Sequence, residues 1–375
     1  MPVEVGEPLS LQDVVAVARG APVACSDPAR ERMRAARAVV ERAVAEGRTV
    51  YGVTTGFGAL ADTRIDPADA AELQHRIVRS HATAVGRLLT REEARAMLLL
   101  RAHVLALGHS GVRPFVVDRM VEMLNRDLIP AVPEQGSLGA SGDLAPLACL
   151  ALPLIGLGEL LNRDGGSTPA KTALATAGLE PLVLSAKEGL SLVNGTQGML
   201  SVGVLAADRA RTLLRTSDVV AAMSIEAGLG TDVPFELRFS KVWVHPHIDA
   251  SAHNIRVALE GSPIVGSHRD SPHLLQDAYS FRCAALVIGA ARATLDHVER
   301  ELRWGINAVT DNPIVFPDDD EILSGGNFHG QPIAVAMDAQ ALALVGVASI
   351  SERRLYRLLD PKTSNGLPAF LEKGS

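Results

Sequence analysis

Apolar residues spaced three and four apart predict helices through most of this chain. Met33, Ala36, Val40 and Val44 recur at helical spacing between Ser26-Asp27-Pro28, a capping start, and Gly47, a stop. A second stretch, about 67–89, carries Leu73, Ile77 and His81 on related faces, and a third runs from about Glu92 to Leu107. Further along, the periods lengthen. Residues from about Thr196 to Leu229 form one apolar-rich segment. Another opens at Ser271-Pro272 and runs to Trp304 before Gly305, and a third follows Pro332 to about Asp360. Helices of this length pack as bundles. Between the last two, the Pro/Asp/Gly-rich stretch from Asp311-Asn312-Pro313 to Gly326 predicts a small hairpin. The expected fold is mainly α: a long-helix bundle, with a loop-rich N-terminal region. The expected division places that region at 1–195 and the bundle at 196–375. No internal repeat or low-complexity segment interrupts this plan.

Composition narrows the classes. Hydrophobic residues make up 47% of 375 positions, enough for a large core, and the net charge of -7 without a recurring basic block argues against nucleic-acid binding. Arg30, Arg32, Arg34 and Arg37 alternate with Glu31 and Glu41, as on a solvated helix face. The first residues lack the basic and apolar regions of a signal peptide, and the apolar run Leu144 to Gly158 is short and broken by Pro146 and Pro153, so no membrane association is expected. Three widely spaced cysteines, Cys25, Cys149 and Cys283, read as reduced thiols of a cytoplasmic protein. The histidines around His245-Pro246-His247 lack a ligand spacing with thiolates or carboxylates, so no metal is expected.

The chemistry concentrates in Gly136-Ser137-Leu138-Gly139-Ala140-Ser141-Gly142-Asp143. The tripeptide Ala140-Ser141-Gly142 can become an electrophile by itself. Attack of the Gly142 nitrogen on the Ala140 carbonyl, with loss of one water there and one from Ser141, gives a 4-methylidene-imidazol-5-one ring. Glycine permits the bent backbone, serine supplies the hydroxyl that leaves, and alanine adds no bulk. Taken alone, the same residues also suit a turn ahead of an apolar helix, with Asp143 at its start.

The longer run resembles the signature of the aromatic amino acid ammonia-lyases, the histidine and phenylalanine ammonia-lyase family. Four more motifs follow the family's order: Thr49-Val50-Tyr51-Gly52-Val53-Thr54-Thr55-Gly56-Phe57-Gly58, Val193-Asn194-Gly195-Thr196-Gln197, Gln276-Asp277-Ala278-Tyr279-Ser280-Phe281-Arg282-Cys283 and Gly326-Asn327-Phe328-His329-Gly330. The resemblance implies a fumarase/aspartase-like helical architecture, the self-made ring as sole cofactor, and a homotetramer with sites shared between subunits. It assigns Tyr51 as the base, Asn194 as a donor to the ring carbonyl, and Tyr279 and Phe328 as further groups of the site. A phenol ordinarily titrates near 10, so such a base needs nearby positive charge or donors. Arg282, with a planar fork that matches two oxygens, is expected to hold the substrate carboxylate, and Gln276, Tyr279 and Arg282 would share one helix face. Asp143 is either a cyclisation helper or a helix-start carboxylate, and His329 is structural.

Ser80-His81 bears on the substrate. Histidine-preferring relatives resemble this pair, whereas phenylalanine-preferring ones resemble Phe-Leu and tyrosine-preferring ones His-Leu; a histidine can hydrogen-bond an imidazole. The implied reaction is elimination of ammonia from L-histidine to give trans-urocanate. A phenylalanine or tyrosine lyase, an aminomutase, and an inactive binding or assembly subunit stay open. Arg76 replaces a small polar residue usual in the family, and Ala285-Leu286 replaces Pro-Gln. Relatives continue past the segment matching Leu367 to Ser375, so the chain is expected to be truncated and to lack an active-site glutamate.

Overall fold

In the computed structural model, residues 1–56, 70–271 and 276–372 are described, and they are mainly helical. The helices are α1 (Leu11–Ala18), α2 (Asp27–Ala45), α3 (Ala70–His81), α4 (Arg91–Ala106), α5 (Pro114–Asn125), α6 (Leu144–Ala151), α7 (Ala170–Thr176), α8 (Glu188–Val193), α9 (Gln197–Ala227), α10 (Leu237–Trp243), α11 (Pro246–Leu259), α12 (Pro263–Ser267), α13 (Tyr279–Arg282), α14 (Ala284–Ile306) and α15 (Gln331–Leu359). The strands form two-stranded pairs: β1 (Val3–Val5) lies parallel to β2 (Val23–Cys25), while β3 (Val85–Leu88) and β4 (Pro133–Gln135), β5 (Glu159–Leu161) and β6 (Ser167–Pro169), and β7 (Ile314–Phe316) and β8 (Glu321–Leu323) pair antiparallel.

The chain divides into two compact units, one of residues 1–205 and 300–334, the other of 206–299 and 335–375. In the first, α4 is the buried axis. Its residues from Ala94 to Ala106 are all buried, including Arg95, Arg101 and His103. Thr90 and Glu93 close a capping box at its start, each side chain accepting the other residue's backbone N–H. Helices α1 and α5 pack against α4, and α3 packs against α6 and α8. The expected start of α2 is found, with Ser26 Oγ accepting from the Ala29 amide at 3.2 Å. Ala36, Val39 and Val40 of that helix form a core cluster with Val53, Ala186 and Val315.

The second unit surrounds Phe281, which is 1% exposed. A Cβ at Gly228 would come within 2.5 Å of this ring, so only glycine allows the approach. Asp218 ties α9 to α11 and α14 by accepting from Asn254 Nδ2 at 2.7 Å and Arg292 Nη2 at 2.5 Å.

Two expected helices differ. The segment predicted to run to Leu89 ends at His81, because Val85–Leu88 pairs instead with Pro133–Gln135. The segment predicted from Ser271 to Trp304 is broken: α13 is a single turn, α14 starts at Ala284, and Gly305 lies inside it. There the backbone packs closely on Leu200, whose side chain a Cβ would meet at 2.8 Å. The hairpin expected near residue 320 is present, as are α9 and α15.

His103 gives the fold a pH dependence. It is 0% exposed, accepts from the Gly6 amide through Nδ1 at 3.1 Å, and burial lowers its pKa to about 4. The unfolded chain binds a proton near 6.5 that the folded chain refuses, so the associated stability is complete above that value and is lost as pH falls toward 4. Between about pH 7 and pH 5 this predicts a loss of about 2 kcal/mol. Urea unfolding at both values measures it, and His103→Gln should flatten the difference.

Candidate functional site

The run at 139–143 is a closed loop whose geometry follows from two glycines. Gly139 and Gly142 adopt φ of 82° and 77°, which side-chain-bearing residues rarely reach. The turn brings the Gly142 amide to 3.2 Å from the Gly139 carbonyl oxygen, and residues 140 and 142 form a bridge. The nitrogen that a ring would need is thereby folded back toward the carbonyl side of the same turn. Ala140 and Ser141 are exposed, while Gly142 and Asp143 are buried.

Distant segments hold this loop. The Asp143 amide donates to the Gly195 carbonyl at 2.7 Å, and the Gly330 amide to the Gly139 carbonyl at 2.9 Å. A Cβ at Gly142 would lie 2.5 Å from the Gly195 oxygen and 3.1 Å from that of Phe328. The loop therefore sits in a backbone cradle, made by the Asn194-Gly195 and Phe328–Gly330 segments, that excludes any side chain at position 142. Phe328 is half-buried, and His329, which is exposed, accepts from the Gln331 amide at 3.2 Å.

Asp143 is the residue before α6, but its side chain does not cap that helix. Its Oδ1 accepts from Ser137 Oγ at 2.5 Å and its Oδ2 from the Met199 amide at 2.8 Å, so it caps the start of α9 instead. Burial pushes the carboxyl up, opposed by Ser137 and the Met199 and Gly198 amides. The carboxyl is thus tied both to the 136–143 run, through Ser137, and to the start of α9.

Asn194 ends α8 and is 9% exposed; its side-chain Oδ1 is buried without a hydrogen-bond partner. An orphaned acceptor beside the cradle suits a donor arriving from a ligand. Arg101 reaches the same segment from α4, donating through Nη1 to the Asn194 carbonyl at 2.8 Å and Gln197 Oε1 at 2.7 Å, and through Nη2 to the Ser191 carbonyl. Beneath it, Lys187 Nζ and Asp311 Oδ2 meet at 2.9 Å with both side chains fully buried. Ser191 Oγ lies 2.9 Å from the same carboxylate oxygen. Burial pulls Asp311 upward, but Lys187 and Arg101 together hold its carboxyl below the usual carboxylate range.

Sequence reading missed Arg101, Lys187 and Asp311. The available signal was a lone arginine inside the apolar run Met97 to Ala106, which demands an internal partner.

Tyr51 lies half-buried in a turn closed by Val53, Thr54 and Thr55 amides donating to the Val50 carbonyl. Gly52 packs directly on Leu190 of α8, where a Cβ would come within 2.4 Å of the leucine. Phe57 and Gly58 of this motif lie outside the described residues. Ser80 and His81 end α3, with Ser80 exposed and His81 half-buried. The His81 Nδ1 is 2.9 Å from the Ile77 carbonyl, which only accepts, so Nδ1 carries a proton.

The remaining candidates belong to the second unit. Gln276 and Arg282 line a cavity of about 340 Å³ with Thr231, Asp277 and His268. Arg282 has a buried Nε without a hydrogen-bond partner, and its guanidinium lies 4.5 Å over the Tyr279 ring. Tyr279 itself is 71% exposed. The expected single helix face is corrected here: Gln276 precedes α13, and only Tyr279 and Arg282 share a turn.

A family model for aromatic amino acid lyases matches residues 9–375. The sequence is 49% identical over 372 residues to a histidine ammonia-lyase of Symbiobacterium thermophilum, covering 99% of this chain and 73% of that one. Against a histidine ammonia-lyase of Myxococcus xanthus it is 50% identical over 371 residues, covering 99% and 72%. A tyrosine aminomutase from Streptomyces globisporus superposes with a TM-score of 0.93 at 38% identity, covering 100% of this chain and 74% of that one. A histidine ammonia-lyase from Trypanosoma cruzi does so with a TM-score of 0.89 at 40% identity, covering 100% and 70%.

Proposed function

The chain belongs to the aromatic amino acid lyase family, and from that premise we propose that it eliminates ammonia from L-histidine to give trans-urocanate. The observation that carries the chemistry is the 139–143 turn, folded back on itself in a cradle that only glycine at position 142 fits. Ring closure joins the Gly142 nitrogen to the Ala140 carbonyl carbon and releases two waters, one from that carbonyl and one from Ser141. The methylidene-imidazolone so made supplies an electrophile that turns the substrate's amine into a better leaving group.

The protein's own groups do the rest. Tyr51 removes the Cβ proton, and Arg282 pairs with the substrate carboxylate through its fork, beside Gln276. Asn194 lies at the edge of the cradle with an amide free to orient a ligand, and Phe328 walls the loop. Tyr279 offers a phenol over Arg282. Asp143 moves a proton during cyclisation while also capping the start of α9; its hydrogen bond from Ser137, within the same run, supports the first role. His81 hydrogen-bonds the substrate's imidazole, with Ser80 beside it. We further propose a homotetramer with shared sites. Exposed apolar residues of the second unit, among them Leu342, Val345 and Met223, support an assembly that covers them.

Ser80→Phe combined with His81→Leu tests the substrate assignment. A pocket built to bond a polar ring leaves its own polar group unpaired against phenyl, a difference of about 10⁴-fold in kcat/KM in comparable sites. Urocanate formation should fall sharply in the double variant relative to cinnamate formation. A parent that favours phenylalanine or tyrosine overturns the histidine assignment. Recovery of a β-amino acid in place of urocanate overturns elimination in favour of amine migration.

A further inference from the structure

We infer that Arg101 is the positioning residue of the ring-forming turn, holding the Asn194-Gly195 half of its cradle in register. The inference rests on the ring reading and extends it to a side chain that contacts neither the turn nor the substrate carboxylate site.

Arg101 is fully buried on α4, and its guanidinium touches neutral acceptors: the carbonyls of Ser191 and Asn194 and the amide oxygen of Gln197. These acceptors come from the last turn of α8, the loop after it and the first residue of α9. One planar group thus fixes the exit angle of the chain across Asn194-Gly195. Gly195 lies directly on it, since a Cβ there would come 2.3 Å from Arg101 Nη1. The same glycine's carbonyl accepts from the Asp143 amide and closes over Gly142. From the guanidinium to the Asp143 amide, next to the ring-forming tripeptide, the path therefore runs through the single residue Gly195. Gln197 extends the brace, donating through Nε2 to Thr310 Oγ1 at 2.7 Å.

A buried cation is a costly way to satisfy three acceptors. Burial lowers this guanidinium to about 10 against the opposing pull of Asp311, so it stays charged at neutral pH. Its rigid fork spans all three acceptors at once, which the single ammonium of a lysine cannot do. Without it, Gly195 is free to relax away from Gly142 and Asp143, and Asn194 loses its fixed orientation.

Arg101→Met and Arg101→Lys test the assignment in the full chain, with circular dichroism and melting to establish folding. Intact mass followed over time reads ring closure as the loss of two waters, independently of turnover. In folded Arg101→Met, ring closure is expected to slow or stop short, and kcat per closed ring to fall by about 10²-fold with KM little changed, the signature of misplacement. Arg101→Lys should fall between variant and parent. A purely structural arginine would lower the melting temperature alone. Folded Arg101→Met that closes its ring at the parent's rate and keeps the parent's kcat overturns the assignment. If Arg101→Met does not fold, Arg101→Lys decides: closure and kcat at parental values overturn it. A parent protein that never loses two waters would instead overturn the ring reading itself.

Discussion

Ser141→Ala is expected to yield a folded protein that forms no methylidene carbon and no longer eliminates ammonia. The exposed Ser141 side chain makes the substitution compatible with the fold, and the bonds holding the loop come from the Asp143 and Gly330 amides, which alanine leaves in place. What disappears is the hydroxyl whose loss creates the exocyclic double bond. Without that electrophile the amine remains a poor leaving group, and turnover should fall by on the order of 10³-fold or more. Intact mass and the rate of urocanate appearance, measured on the same preparation, check both halves. A variant whose mass shows no loss of water yet matches the parent's rate would remove the ring from the mechanism.

Tyr51→Phe should separate the base from the electrophile. The turn around it is held by backbone amides and by Gly52 packed on Leu190, none of which needs the hydroxyl. The variant is therefore expected to fold and to lose two waters like the parent. Its turnover should drop by roughly 10²–10⁴-fold, the usual contribution of a general base. Solvent exchange at the substrate's Cβ gives a second readout, because a missing base suppresses exchange along with product. If Tyr51→Phe exchanges and eliminates at the parent's rate, the proton leaves by another group.

The parts of this molecule that were legible in its sequence are those encoded locally. Ser26-Asp27-Pro28 with Gly47 marks α2 at both ends, and the Pro/Asp/Gly-rich stretch before Gly326 marks a hairpin. Ala140-Ser141-Gly142 names its own chemistry. The misses share a different origin. Nothing in the periodicity after Ser271 announces the break at Cys283, because apolar residues continue at helical spacing on either side of it. Local spacing extends the predicted helix over Val85–Leu88, because the strand partner, Pro133–Gln135, is distant in the chain. Lys187 and Asp311 are 124 residues apart, so their pairing is invisible until the fold exists. Asp143 stands in sequence directly before α6, yet its carboxylate reaches the start of α9. Pairings between remote polar groups are set by packing, which a linear pattern does not record.

The anchors of the 139–143 loop also impose an order of events on the life of the chain. Its two backbone clamps come from Gly195 and Gly330, the second nearly two hundred residues downstream. A nascent chain paused before Gly330 emerges has the three ring residues but only part of the vice that bends them. Maturation must therefore follow translation and folding. A freshly refolded sample should pass through a structured but chemically silent interval before its electrophile ripens.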